Sequence, residues 1–306
     1  MMWSELDTWI VITGALTAMA CAVPGVFLLL NKQSMLGDAI SHAVLPGLAI
    51  GFLVSGTRDT FPMLLGAALA GVFTGVVSGM IERRGRVEAG ASLGVVFCSL
   101  FALGLILIRL AADHVDLDPG CVLYGSLELA VIDSARVPRI AWQSGGILVL
   151  NLILAGVFFK ELQLAAFDPR FAKASGFPAG WLQQGLTVAT ALTTVVAFES
   201  VGSILVIAML IVPGATAMLL SRSVGGVLLG SLAVALFSAV IGHLSAISIG
   251  PVFLSLLTGH GNLGSLSSAG MMAVCAGLIF FTILAMARLT QRFFSRVKEH
   301  AVSPQA

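Results

Sequence analysis

The feature that most constrains this chain is a series of long apolar runs, each of about the length that crosses a lipid bilayer. A transmembrane helix needs roughly 20 consecutive apolar residues, because in hydrocarbon the backbone must satisfy its own hydrogen bonds. Only 10% of the 306 residues are charged and 58% are hydrophobic, whereas a soluble domain carries about 25% charged residues. The sequence therefore predicts an all-α polytopic membrane protein. Nine spans are predicted, at residues 8–30, 35–56, 62–81, 89–110, 140–159, 184–199, 201–220, 224–244 and 267–288.

The distribution of Lys and Arg between loops predicts the orientation, since basic residues concentrate on the cytoplasmic side. If the 83–86 loop is inside, the N-terminus is outside and the C-terminus is inside. The two termini then lie on opposite sides of the membrane, as an odd number of spans requires. The chain has no Lys or Arg before Lys32, so the first run is interpreted as a true span rather than a signal peptide. This orientation places 12 of the 16 basic residues inside, the other four being Arg58, Arg109, Arg136 and Arg139.

Asp38 and His42 place two polar side chains inside the second predicted span. They stand four residues apart, so on a helix they share one face. Ionisable residues in a span are costly unless they face a cavity or a partner. A carboxylate oxygen and an imidazole nitrogen suit a borderline divalent ion such as Zn, Mn or Fe; an Asp–His hydrogen bond that only locks helix packing is the alternative. Because only neutral imidazole coordinates, metal binding is predicted to weaken as His42 is protonated.

Several motifs of nucleotide-binding and catalytic sites are missing from the sequence. It contains no Gly-x-x-x-x-Gly-Lys-Ser/Thr phosphate loop, so the chain cannot bind ATP in that way, and no H-E-x-x-H or G-x-S-x-G motif. The four cysteines have neither metal nor disulfide spacing, and a net charge of +1 gives no indication of nucleic-acid binding. We therefore expect a single transmembrane domain over residues 1–306 that is not an enzyme.

The 160–183 loop, which the charge distribution places in the cytoplasm, contains a short predicted helix. Asp168-Pro169 is a helix start with proline at the first helical position, and Gly176 and Pro178 end the helix. Such a helix either lies on the lipid surface or docks a soluble partner. The residues predicted to pack are Phe171, Ala172 and Ala174, and those predicted to face water are Arg170 and Lys173.

The 111–139 loop, predicted to be external, carries three carboxylates and an imidazole close together. This composition fits a weak metal-collecting surface, a docking patch for a delivery protein, or an ordinary solvated acidic loop. Glu199 is interpreted as reaching the outer interface, and His243 as a packed interfacial histidine rather than a ligand. The residues of the acidic loop are Asp113, His114, Asp116 and Asp118.

Small residues at a spacing of four recur in the third span, as Gly71, Gly75 and Gly79. This spacing forms a groove along one helix face, where the backbone of a neighbouring helix can approach closely. We therefore expect these three glycines to serve helix packing.

Four blocks of the sequence resemble the signature of the membrane subunits of manganese/zinc/iron ABC importers. The first block, residues 34–47, contains the Asp38/His42 pair within Gly-Asp-Ala-Ile-Ser-His-Ala-Val-Leu-Pro-Gly. The later blocks are residues 113–126, 167–176 and 198–217. Because they occur in the family's order and are spread from residue 34 to residue 217, the resemblance is specific.

The resemblance implies the fold of cobalamin and siderophore permeases, lacking their first helix, in a prokaryotic plasma or inner membrane. It implies alternating access by two permease chains, identical or paralogous, above two cytoplasmic ATP-binding subunits that hydrolyse ATP. An extracytoplasmic metal-binding protein would deliver the divalent ion, which is substrate rather than permanent cofactor. Asp38 and His42 match the family's metal-contacting residues. The stretch that matches the ATPase-coupling element contains Phe167, Asp168, Pro169, Arg170, Phe171, Ala172 and Gly176.

Two other transport functions remain open at this stage. One is a permease for cobalamin or an iron-siderophore, whose bulky ligand does not need an Asp/His pair on its pathway. The other is an ion-coupled carrier that works without ATP, although such carriers usually have more charged residues within their spans than this chain has.

Overall fold

The computed structural model describes residues 3–56, 60–112, 127–128, 137–177, 179–248 and 266–302, and these residues contain helices and no strands. Every predicted span falls on a helix, and eight of the described helices are long and apolar enough to cross a membrane. The all-α polytopic fold is thereby confirmed. The helices are α1 (Glu5–Leu30), α2 (Met35–Ser55), α3 (Thr60–Gly85), α4 (Ala89–Ala112), α5 (Arg139–Val157), α6 (Phe159–Phe167), α7 (Pro169–Ala174), α8 (Ala179–Val201), α9 (Ser203–Leu220), α10 (Val224–Ser248) and α11 (Ser268–Val302).

Helix α1 is the central element of the bundle. It begins with a capping box, in which the Ser4 hydroxyl accepts a hydrogen bond from the Asp7 N–H and the Asp7 carboxylate accepts one from the Ser4 N–H. The helix packs against α5, α8, α9 and α10. As a result, 78% of its most apolar 18-residue stretch is buried, against 22% of the corresponding stretches of α3 and α5.

Buried polar side chains tie α1 to α5 and α8. The Asn151 amide on α5 donates hydrogen bonds to the Ala20 carbonyl on α1, at 3.0 Å, and to the Thr193 hydroxyl on α8, at 2.7 Å. A second link joins the Thr17 and Ser144 hydroxyls, 2.9 Å apart. Such bonds between helices stabilise membrane bundles, because water cannot replace them in the apolar interior.

The position of α2, which carries Asp38 and His42, is fixed by close backbone contacts. Helix α2 packs against α3 and α4, and Gly47 on α2 lies directly against Gly66 on α3. A Cβ atom added at either glycine would overlap the backbone of the other. On the α4 side, Gly104 leaves room for the ring of Pro46, which a Cβ there would approach to 2.8 Å.

Helices α8 and α9, predicted as two adjoining spans, separate at Gly202. This residue has φ +78° and ψ 170°, in the region of backbone conformation that favours glycine. The sharp break lets α9 pack against α1, α10 and α11 instead of continuing the line of α8.

Candidate metal site and coupling surface

The Asp38 and His42 side chains lie together on one face of α2, as their spacing predicts. Asp38 stands in the first turn of the helix, and its Oδ1 is 3.4 Å from His42 Nε2. This distance is beyond the range of a good hydrogen bond. It is close to the separation of two ligands that share one ion, since ligands about 2.1 Å from a metal stand about 3.0–3.4 Å apart. The side chains are 35% and 30% exposed, respectively, so the pair is open to an incoming ion.

Two aromatic side chains of α4 hold the His42 ring. Phe97 stacks on the imidazole, with ring centroids 5.8 Å apart, and Phe101 meets it edge-on at 5.5 Å. These contacts fix the plane of the ring and cover part of it, which leaves the Asp38 side open. Neither phenylalanine was predicted as a site residue from the sequence. Their spacing of four places them on one helix face, but it does not say which helix they meet.

Asp38 and His42 are two potential ligands, fewer than a metal ion usually takes. Among the residues that the structure describes, no group of three or more His, Cys, Asp or Glu side chains could hold a metal ion.

Not every predicted site residue can be placed. Asp113, His114, Asp116 and Asp118 of the acidic loop lie outside the described residues. Glu199 lies near the end of α8, but its side chain is not among those described. The possible roles of the acidic loop and of Glu199 stay predictions.

The predicted loop 160–183 is largely helical. Helix α6 precedes the short α7, where the sequence analysis expected a single helix. Asp168 caps α7 as predicted, since its Oδ1 accepts a hydrogen bond from the Phe171 N–H at 2.9 Å. Gly176 follows the helix with φ +84°, and the Phe177 N–H bonds back to the Ala172 carbonyl.

The packing predicted for α7 is wrong in part. Ala172 is fully buried, but Phe171 is 58% exposed and Ala174 is also exposed. A helix of one and a half turns presents only one side to the protein, and Ala172 occupies it. Phe167, at the end of α6, is 67% exposed, so one exposed phenylalanine lies on either side of Asp168 in the chain; these two side chains are here called the coupling surface. The Pro169, Arg170 and Lys173 side chains are not among those described.

The glycine groove of α3 is shorter than its spacing predicts. Gly71 faces Ala191 on α8 and Ile40 on α2, and Gly75 faces Thr187 on α8. Gly79 has nothing within 4 Å of a Cβ position. Helices α3 and α8 therefore approach closely at the first two glycines and diverge at the third.

Comparison with known proteins places the chain in a family. Residues 4–287 match the family model of the ABC 3 transport family. The manganese transport system membrane protein MntD of Bacillus subtilis is 38% identical over 285 residues, which cover 90% of each protein. The zinc transport system membrane protein TroD of Treponema pallidum is 39% identical over 211 residues, 67% of this chain and 57% of TroD.

The fold matches a solved structure along nearly its whole length. A chain of PsaBC from Streptococcus pneumoniae, solved in complex with Fab, superposes with a TM-score of 0.72 at 28% identity. The match covers 92% of this chain and 91% of that one. Because the family model spans almost the entire sequence and the helices agree with it, the chain is a multi-pass membrane protein that belongs to the ABC 3 transport family.

Proposed function

We propose that the chain is the membrane subunit of an ATP-driven importer that moves a divalent transition metal, Mn, Zn or Fe, into the cytoplasm. The observation that carries the proposal is the Asp38/His42 pair, spaced like two ligands of one ion and partly open within a helix of membrane-spanning character. Relatives named as manganese and zinc transport proteins support the same class of ion. A carboxylate with an imidazole suits each of these metals.

The mechanism we infer is alternating access around a pathway shared by two permease chains. Each chain contributes one carboxylate and one imidazole, so four ligands replace water molecules that the ion loses when it enters the site. Asp38 offsets the charge of the ion, and His42 donates its Nε2 lone pair. Phe97 and Phe101 keep the imidazole oriented while the site changes the side of the membrane that it faces.

The energy comes from cytoplasmic subunits in this proposal, with the N-terminus of the permease outside and its C-terminus inside. Two ATP-binding subunits contact the coupling surface, where Phe167 and Phe171 expose apolar area that a partner can cover. When ATP binding closes those subunits, they move α7. Helix α8 moves with it because the two helices are consecutive in the chain. A metal-binding protein delivers the ion to the external side, which includes the 111–139 loop.

Uptake by the complete complex in proteoliposomes tests this function. We expect ATP-dependent uptake of radiolabelled metal that the Asp38→Ala and His42→Ala variants lose while the complex still assembles. Glu88→Ala is the matched control, because Glu88 is an exposed carboxylate just before α4, and it should transport normally.

Three results would contradict the proposal. Normal uptake by both single variants would remove the metal site. Uptake of cobalamin or an iron chelate that free metal salts do not inhibit would favour the chelate permease. Uptake by the permease alone, driven by an ion gradient, would favour a carrier that does not use ATP.

A further inference from the structure

A second Asp/His pair lies across α1 and α10, at the end of the bundle where α1 begins. Asp7 Oδ1 is 3.5 Å from His243 Nε2, nearly the distance that separates Asp38 from His42. The His243 side chain is 2% exposed and that of Asp7 is 21% exposed, so the pair is enclosed but reachable from the Asp7 side. Since α1 rises about 1.5 Å per residue, roughly 35 Å separate Asp7 from the far end of the helix, where α2 and its own pair begin.

The Asp7 carboxylate is held so that one oxygen remains available. Its Oδ2 accepts hydrogen bonds from the Ser4 N–H, at 2.8 Å, and from the Ser4 hydroxyl, at 2.7 Å. The first of these bonds is one half of the capping box of α1. Oδ1 takes no part in them and points to the imidazole.

The His243 ring is held in the same way. Its Nδ1 lies 3.1 Å from the Ser268 hydroxyl at the start of α11, and the Trp3 ring meets it edge-on at 5.9 Å. Among the described residues, Nε2 has no hydrogen-bond partner although it is buried. A histidine whose second nitrogen is held by a polar group, while the other stays free, has the usual arrangement of a metal ligand.

Negative charge collects around this imidazole. Glu128 accepts a hydrogen bond from the Ser268 N–H at 2.8 Å and lies close enough to interact electrostatically with His243. In the part of the chain that the structure describes, no Lys or Arg forms an ion pair with Asp7 or Glu128. Two carboxylates beside a buried imidazole favour the entry of a cation.

We propose that Asp7 and His243 form a second binding site for a divalent transition metal, with the negative charge of Glu128 beside it. The class of ion and the external position of the site rest on the proposed function, in which this end of the bundle faces the delivery protein. The distance of 3.5 Å between Oδ1 and Nε2 exceeds a good hydrogen bond and lies just above the range of about 3.0–3.4 Å for two ligands of one ion. The site holds the ion before it reaches the Asp38/His42 pair.

Metal binding to the purified full-length permease tests the second site. The Asp38→Ala/His42→Ala double variant removes the pair on α2, so any ion that it retains is bound elsewhere. We expect this variant to bind about one Co²⁺ ion per chain, with visible absorption bands of nitrogen and oxygen ligation. Adding Asp7→Asn should weaken that binding by at least about tenfold, and adding His243→Gln should change the absorption bands.

The choice of variants separates binding from folding. Asp7→Asn keeps an oxygen that can accept the Ser4 bonds that cap α1, and the helix content of each variant is checked by circular dichroism. Glu5→Gln is the matched control, since Glu5 is an exposed carboxylate in the same turn, and it should leave cobalt binding unchanged.

Two results would overturn the second site. One is that the Asp38→Ala/His42→Ala variant binds no cobalt, which would make the Asp7/His243 contact a clasp between helices without a metal. The other is residual cobalt binding that Asp7→Asn and His243→Gln do not weaken. Both leave the proposed function intact, because that function is tested separately by uptake in variants of Asp38 and His42.

Discussion

Replacing Gly66 with Ala tests the contact that holds helix α2, which carries the Asp38/His42 pair, in place. A Cβ atom at Gly66 would overlap the Gly47 carbonyl oxygen and lie 3.1 Å from the Gly47 carbonyl carbon and 3.3 Å from the Gly51 nitrogen. All three are backbone atoms, so no side chain can rotate out of the way. Helices α2 and α3 must therefore move apart to accommodate the added methyl group.

The expected loss of stability follows from this overlap. Overpacking a well-packed core costs about 1–3 kcal/mol, and a contact with rigid backbone belongs at the upper end of that range. Alanine recovers up to about 1 kcal/mol because it favours the helix more than glycine does. The net change is a loss of about 2 kcal/mol in the free energy of unfolding, which is roughly a thirtyfold change in the unfolding equilibrium.

Gly79→Ala on the same helix is the matched control. A Cβ atom there meets nothing within 4 Å, so this variant should be as stable as the wild type or up to about 1 kcal/mol more stable. Unfolding of the purified permease in detergent micelles, followed by circular dichroism, measures both variants. The account of the α2–α3 contact would be refuted if Gly66→Ala were as stable as Gly79→Ala.

Three further substitutions have defined outcomes. Asn151→Leu removes the hydrogen bonds to the Ala20 carbonyl and the Thr193 hydroxyl and should lower the free energy of unfolding by about 1–3 kcal/mol. If the same unfolding measurement shows no loss of stability, these bonds do not stabilise the bundle. Asp168→Ala removes the cap of α7, worth about 1 kcal/mol, and should lower ATP-driven uptake. Asp168→Asn keeps an oxygen for the cap and should retain normal uptake. Equal uptake by the two variants would argue against coupling through α7. Phe171→Asp should change the stability of the permease by less than about 0.5 kcal/mol, because the side chain is exposed. The same variant should no longer copurify with the ATP-binding subunit. Retained copurification would argue against contact between that subunit and the coupling surface.

The helices could be predicted from the sequence because apolar length is a local property. Each predicted span falls on a helix of the structure, and Asp38 and His42 share a face because four residues make about one turn. The capping of α7 by Asp168 was also predictable, since an N-cap interaction joins residues only three apart.

The contacts between distant helices could not be predicted in this way. Phe97 and Phe101 meet His42, and Asp7 meets His243, only because the bundle brings α4 to α2 and α10 to α1. Nothing in the apolar pattern of one helix specifies its neighbours. For this reason the sequence predicted only a packed interfacial residue at His243, whereas its ring is buried, contacts the Ser268 hydroxyl and faces the Asp7 carboxylate.

The exposed Phe171 shows a different limit of the pattern. Its apolar side chain predicted a place on the packed side of α7, but Ala172 occupies that side. Hydrophobicity predicts that a side chain will be covered, and it does not say whether the same chain or another subunit covers it.

X-ray absorption at the metal edge of the manganese- or zinc-loaded complex tests the central claim most directly. The measurement is made in the Asp7→Asn background, which lowers the contribution of the proposed second site. We predict nitrogen and oxygen ligands at about 2.0–2.2 Å, with an imidazole contribution that His42→Ala removes and an occupancy that Asp38→Ala lowers. A spectrum that neither substitution changes would show that the ion is bound elsewhere and would contradict the account.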